Sequence, residues 1–178
     1  MGPESTKRAL SILTPNLNLP SYPVVTRQKG GRPEIYDQAR KIYVALTPEE
    51  WVRQHFVNYL ATKRGVPWGL VAIETGFRYR GMQRRADVVV YDRRGVPALM
   101  VECKATDCRI VQSTFDQIAR YNTVVGARYL VVTNGLEHYC YSSIDDAGFK
   151  FHDGVPDFET MNDSRSYSAA SSPTSPDN

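Results

Sequence analysis

The sequence lacks an apolar run anywhere near the roughly 18 residues that a membrane span needs. Its N-terminus has no apolar signal core, which argues against secretion. It holds three cysteines, Cys103, Cys108 and Cys140, with no C-x-x-C pair, and only three histidines. Without paired ligand spacing, these residues argue against a structural zinc site. His55, His138 and His152 have no ligand spacing and read as packing residues. No internal repeat and no G-x-x-x-x-G-K-[ST] phosphate loop occurs, so these residues carry no nucleotide-driven motor signature. What remains is an ordinary globular composition, 42% hydrophobic and 23% charged over 178 residues. It suits one domain in a reducing cytoplasm.

Charge is unevenly spread. The net charge is +3. Residues 153–178 contain five acids (Asp153, Asp157, Glu159, Asp163, Asp177) against one base, Arg165, so this end carries −4 and residues 1–152 carry +7. Arg78, Arg80, Arg84 and Arg85 cluster ahead of Asp87, and Arg93 and Arg94 follow in the next turn. A basic patch beside acids suits a polyanion, and these four arginines are candidate nucleic-acid contacts.

Three regions are expected: a flexible arm over 1–20, one folded domain over 21–158, and a disordered acidic tail over 159–178, rich in Ser, Asp and Pro. Tyr22 to Arg27 reads as a short strand, with Glu34 to Tyr36 returning after the Gly30-Gly31 turn. Asp37 to Leu46 leads into the first helix. That helix opens at Thr47-Pro48-Glu49-Glu50, where Thr47 caps, Pro48 takes the first helical position and Glu50 is placed as a capping-box acid. Val52, Phe56, Tyr59 and Leu60 give its apolar stripe, and Gly65 and Pro67 end it. Strands are expected over Leu70–Tyr79, Arg85–Tyr91 and Ala98–Lys104. A second helix follows over Val111–Val125, then a buried strand over Tyr129–Thr133 and a last strand from Glu137 to Ser142. The order α-β-β-β-α-β predicts an α/β fold, a mixed central sheet flanked by helices.

Two expected strands carry the chemistry. Asp87 lies in one apolar run, Glu102-Cys103-Lys104 in the next, and Asp92-Arg93-Arg94-Gly95 turns the chain between them. A two-residue Arg94-Gly95 loop pairs residues whose numbers sum to 189, so that Asp87 faces Glu102, with Lys104 on the same face. Two opposed carboxylates with an ammonium beside them call for a cation such as magnesium. A three-residue loop with Gly95 at a bulge shifts the sum by one and puts the two acids on opposite faces.

The ordered set of Ala86-Asp87, Glu102-Cys103-Lys104 and Gln117-Ile118-Ala119-Arg120-Tyr121 resembles the PD-(D/E)xK, or restriction-endonuclease-like, nuclease superfamily with its Q-x-x-x-Y helix. More narrowly it resembles the N-terminal nuclease domain of type I restriction enzyme R subunits. The stretches Leu46–Gln54 and Val132–Tyr139 share that likeness, which spans about 33–152. Ala86 stands where the superfamily has proline.

The resemblance implies a magnesium-dependent endodeoxyribonuclease of restriction-modification type, with manganese able to substitute. Asp87, Glu102 and the main-chain carbonyl of Cys103 would hold the metal, and Glu50 would complete the set. Lys104 would position the attacking water or offset charge on the phosphate. Gln117 and Tyr121, four apart and so on one helix face, would orient the metal site or the DNA backbone. Without its own translocase, the chain would act alone or as the nuclease part of a split system, with DNA and a helicase-like or specificity subunit as partners. The alternative is a non-catalytic nucleic-acid-binding or adaptor module on a nuclease fold.

Overall fold

The computed structural model describes residues 13–144 and 148–163. A small antiparallel sheet comes first: β1 (Thr26–Lys29), β2 (Arg32–Asp37) and β3 (Ile42–Ala45), in that order. The first strand begins later than the Tyr22 expected. The stretch expected merely to lead into the helix contains β3, paired to β2 from Glu34↔Ala45 to Asp37↔Ile42. Helix α1 (Pro48–Lys63) follows, then a 3₁₀ turn (Trp68–Leu70), β4 (Val71–Tyr79), β5 (Met82–Tyr91), β6 (Pro97–Cys103), α2 (Gln112–Val125), β7 (Tyr129–Thr133), β8 (His138–Ile144), β9 (Gly148–His152) and the short α3 (Phe158–Asn162). Strands β4 to β9 form one six-stranded sheet in sequence order. Only β6 and β7 pair in parallel, bridged by α2, so the sheet is mixed and the fold is α/β. Among the described residues, no helix is long and apolar enough to cross a membrane.

Two apolar layers hold the sheet. On one face Val52, Phe56, Val57 and Leu60 of α1 pack on Val88, Val90, Leu99, Val101 and Val131. On the other, Ile118 of α2 packs on Ala86, Val89, Met100, Leu130 and Val132. Strands β6 and β7 are buried on both faces, which accounts for their near-continuous apolar sequence. Helix α1 starts where Thr47 Oγ1 accepts the Glu50 N–H at 3.0 Å, with Pro48 behind it. The capping box stops there. The Glu50 carboxylate turns away to Arg53 and Gln54 instead of returning to the cap. Gly126, at φ +73°, closes α2 in the left-handed conformation.

The β5–β6 hairpin joins the two alternatives left open by sequence. Its loop is the three-residue kind: Asp92 N–H reaches Val96 O, Gly95 N–H reaches Asp92 O, and Gly95 sits at φ +80°. Tyr91 pairs Pro97, but Val90 pairs Leu99, so Ala98 is an extra residue. That bulge restores the 189 register at Val90↔Leu99, Val89↔Met100 and Val88↔Val101.

Both ends reach further than composition suggests. Trp51 Nε1 donates to Pro15 O at 3.0 Å, Asn18 N–H to Gly135 O at 2.8 Å, and Leu17 and Leu19 pack against the α1-side core. The described part of the expected arm is therefore docked, while 1–12 lie outside the described residues. At the other end α3 continues the fold to Asn162, with Met161 fully buried and Arg93 paired to Glu159 at 2.5 Å. Helix α3 thus runs past residue 158, the expected boundary of the acidic tail. Apolar anchors inside an acidic segment are the reason. Residues 164–178 lie outside the described residues.

Candidate active site

The acidic pair sits where β6 ends and β5 loses its partner. The β5–β6 ladder stops at Val88↔Val101. Beyond it Asp87 uses its side chain: Oδ2 accepts the Cys103 N–H at 2.7 Å, and Oδ1 lies 3.1 Å from Arg53 Nη2. The Asp87 carboxylate therefore lies beside the Cys103 main chain. Glu102 is 5% exposed and projects toward α2, where Oε1 accepts from Lys104 Nζ at 2.6 Å and from Gln117 Nε2 at 2.8 Å.

Asp87, Glu102, Lys104 and Gln117 are thus brought together by the interior of β5, the end of β6 and one helix. Tyr121, one turn beyond Gln117, packs instead on Phe77 and Tyr79, ring centroids 5.4 and 5.7 Å away, and so braces the β4–β5 hairpin.

Burial, and then the Asp87 charge, raise the Glu102 pKa, although the Lys104 hydrogen bond opposes them. Burial works against the Lys104 ammonium, but the Glu102 hydrogen bond and the surrounding carboxylates outweigh it and raise its pKa. Burial and Asp87 likewise raise Glu49. A divalent cation would relieve this crowding of negative charge. Magnesium needs only one or two carboxylates and keeps several waters, so Asp87, Glu102 and a main-chain carbonyl are a fitting donor set. Among the described residues, no group of three or more His, Cys, Asp or Glu side chains is gathered closely enough to hold a metal ion.

Glu50 is otherwise engaged. Its carboxylate takes Arg53 Nη1 and Gln54 Nε2 (2.8 Å), with Arg40 Nη2 at 3.9 Å. Its neighbour Glu49 shares the field of Asp87 and Lys104. Two participants escaped the sequence reading, Glu49 and Arg53. The buried Arg53 guanidinium joins Glu49 (2.9 Å), Glu50 and Asp87. The signal was present as Glu49-Glu50-x-x-Arg53, the spacing of i,i+3 and i,i+4 helix pairs.

The basic cluster divides. Strand β5 pairs with β4 as far as Tyr79↔Met82, well past the last β5–β6 pair, so this hairpin continues beyond the acids as an arm. Arg78, Arg80 and Arg85 are exposed on that arm and Arg84 is half-buried there. Arg85 pairs with Glu74 at 3.3 Å. Arg93 and Arg94 lie at the opposite end of β5, bound to Glu159 and Asp92, so they do not extend the patch. The histidines serve packing: His55 Nδ1 meets Trp51 O, His138 bridges Thr133 and Asn18, and His152 meets Ser142.

Comparison with known proteins bears on the fold and the family. The chain is similar to a fragment assigned as an HsdR subunit of a type I restriction enzyme from Vibrio vulnificus YJ016, with a TM-score of 0.51 and 19% identity. The match covers 64% of this chain but only 24% of that one, and it supports a shared fold. No curated protein matches the chain. The family described as type I restriction enzyme R protein N terminus matches residues 48–156, from the start of α1 to just past β9. That span takes in Glu49, Arg53, Asp87, Glu102, Lys104 and Gln117, and the chain belongs to the family of the type I restriction enzyme R protein N terminus.

Proposed function

We propose that this chain is a magnesium-dependent nuclease that hydrolyses DNA phosphodiester bonds as the nuclease part of a type I restriction system. The observation that carries the reading is the convergence of Asp87, from within β5, with Glu102 and Lys104 at the end of β6, with Glu102 held by both Lys104 and Gln117. A buried acid pair is costly unless it is paired, and Lys104 and Arg53 supply the opposite charges that hold the two acids here.

Asp87, Glu102 and the Cys103 carbonyl would hold the ion, and manganese would be able to replace it. Arg53 engages both Glu49 and Glu50 from α1, so neither is free to add a further carboxylate to this pair. When bound, the ion acts as Lewis acid toward the scissile phosphate and acidifies a bound water. Gln117 fixes the rotamer of Glu102. Lys104 orients the attacking water and offsets the charge that develops on the phosphate. Arg78, Arg80, Arg84 and Arg85 run along the DNA backbone from the β4–β5 arm, and Tyr121 stiffens that arm. A translocase or specificity subunit delivers the DNA, and the setting is the cytoplasm.

The test is cleavage of supercoiled plasmid and single-stranded DNA with magnesium, manganese or EDTA, for wild type and Lys104→Ala. Cutting that needs the metal and the lysine supports the reading. Metal-dependent cutting that survives Lys104→Ala overturns the role of the lysine. Tight, salt-sensitive DNA binding with no turnover, even beside the cognate motor, favours a binding module.

A further inference from the structure

A strand alternates its faces with period two, so residues of one parity should stay on one side of the sheet. Strands β4 and β5 break this rule together. In β4, Val71 and Ile73 pack on the α1 side, whereas Phe77 packs in the α2-side cluster and Tyr79 against Tyr121 of α2. In β5, Ala86 joins the α2-side cluster, but Val88 and Val90 join the α1 side. Both strands exchange faces between the pairs Ile73↔Val88 and Thr75↔Ala86. The register is the same on either side, so no residue has been inserted. The two residues left at the crossover are Glu74 and Asp87. Glu74 has φ +50°, in a left-handed region that a side chain of this size seldom adopts.

We propose that Glu74 is a positioning residue: its left-handed backbone turns the β4–β5 hairpin over and thereby aims Asp87 along the sheet edge toward Cys103 and Arg53 rather than into either core. The exchange of faces explains why Asp87 Oδ2 can take the Cys103 N–H at 2.7 Å just where the ladder stops. It also explains how Ala86 and Val88, both fully buried, flank it on opposite sides of the sheet.

The Glu74 side chain adds two ion pairs to a conformation that its backbone sets. Oε2 takes Arg40 Nη1 at 2.6 Å, and Oε1 takes Arg85 Nη1 at 3.3 Å. Arg40 is itself fixed by the fully buried Asp37, through Nε at 2.7 Å and its own N–H at 2.8 Å. The small first sheet is thereby tied to the point where Asp87 is aimed. The consequence for metal binding rests on the nuclease reading, whereas the aiming of Asp87 does not.

The experiment measures amide hydrogen exchange at Cys103 and calorimetric manganese binding in the full chain. Wild type is compared with Glu74→Gly, Glu74→Gln, Glu74→Val and Asp87→Ala. Glycine accepts positive φ freely and valine does not. Glu74→Gly and Glu74→Gln should keep Cys103 protected and bind manganese within a few-fold of wild type. Glu74→Val should lose protection as Asp87→Ala does and bind about 10- to 100-fold more weakly, the range expected when a ligand loses its support. Should the valine variant fail to fold, Glu74→Thr, also β-branched, carries the same contrast with glycine. Retained protection in the valine (or threonine) variant overturns the proposal, and so does a loss in Glu74→Gly as large as theirs. If Asp87→Ala binds manganese like wild type while the Cys103 contrast persists, the metal assignment falls and the positioning role stands.

Discussion

Arg53 reaches from α1 to Asp87, Nη2 to Oδ1 at 3.1 Å, while the same guanidinium holds Glu49 and Glu50. One buried cation thus balances three carboxylates. Removing it strands negative charge, and breaking a buried pair in this way costs about 3–5 kcal/mol. Arg53→Met should be destabilised by that order in EDTA and should recover more stability from added magnesium than wild type does. Arg53→Lys should recover only part of the loss, because an ammonium cannot reproduce the fork. Thermal unfolding with and without magnesium checks both. Equal melting of Arg53→Met and wild type in EDTA would contradict the balance described.

Glu102 gives a pH dependence of definite sign. Burial and then Asp87 raise its pKa above the ordinary 4.5. The folded protein therefore binds this proton more tightly than the unfolded chain. The stability this provides is present below the ordinary value and is lost as pH rises through the raised one. Glu102→Gln does not titrate. Without metal, it should gain on wild type as pH rises from about 4 to 8, by roughly 1.4 kcal/mol per pH unit of displacement. Magnesium should reverse the order, since only the ionised side chain of wild type binds it. Parallel stability curves for the two proteins in EDTA would show that the carboxylate is not crowded.

The arginine arm predicts a selective effect on DNA. Arg78→Ala and Arg80→Ala should each weaken binding across all sequences and lower the slope of log K against log salt by about one unit. Arg94→Ala, at the other end of β5 and paired to Asp92 at 2.7 Å, should leave that slope unchanged. Fluorescence anisotropy over a salt series measures this. Equal slopes for all three variants would remove the arm from the interface.

Much of this was legible in the chain, and the misses have physical causes. Thr47-Pro48, by a side-chain cap and a fixed proline φ, and Gly126, by its left-handed φ, fix helix ends locally, so α1 and α2 stand where the sequence places them. The apolar runs of β6 and β7 mark the buried strands. Strand β3 escaped because Ile42 and Ala45 are exposed and only Tyr43 and Val44 are half-buried. Strand β9 escaped for a similar reason, with Phe149 52% and Phe151 63% exposed at the sheet edge. The hairpin loop was ambiguous because Gly95 suits both turn types, and the Ala98 bulge that resets the register has no local signature. Asp87, Glu102 and Lys104 stood out as charged residues at fixed spacing in apolar runs, and Gln117 through the family resemblance. Arg53 and Glu74 did not, since a buried arginine and a left-handed glutamate look like surface charges until the fold brings partners to them.

The account centres on Asp87 as the acid around which metal and substrate gather. The most direct test is magnesium-dependent cleavage of supercoiled plasmid by wild type and Asp87→Ala side by side, with calorimetric manganese binding on the same preparations and thermal melts to confirm folding. The account predicts folded Asp87→Ala with cleavage abolished and manganese binding weakened at least tenfold, in line with loss of a direct ligand. Undiminished cleavage by a folded Asp87→Ala protein would contradict it.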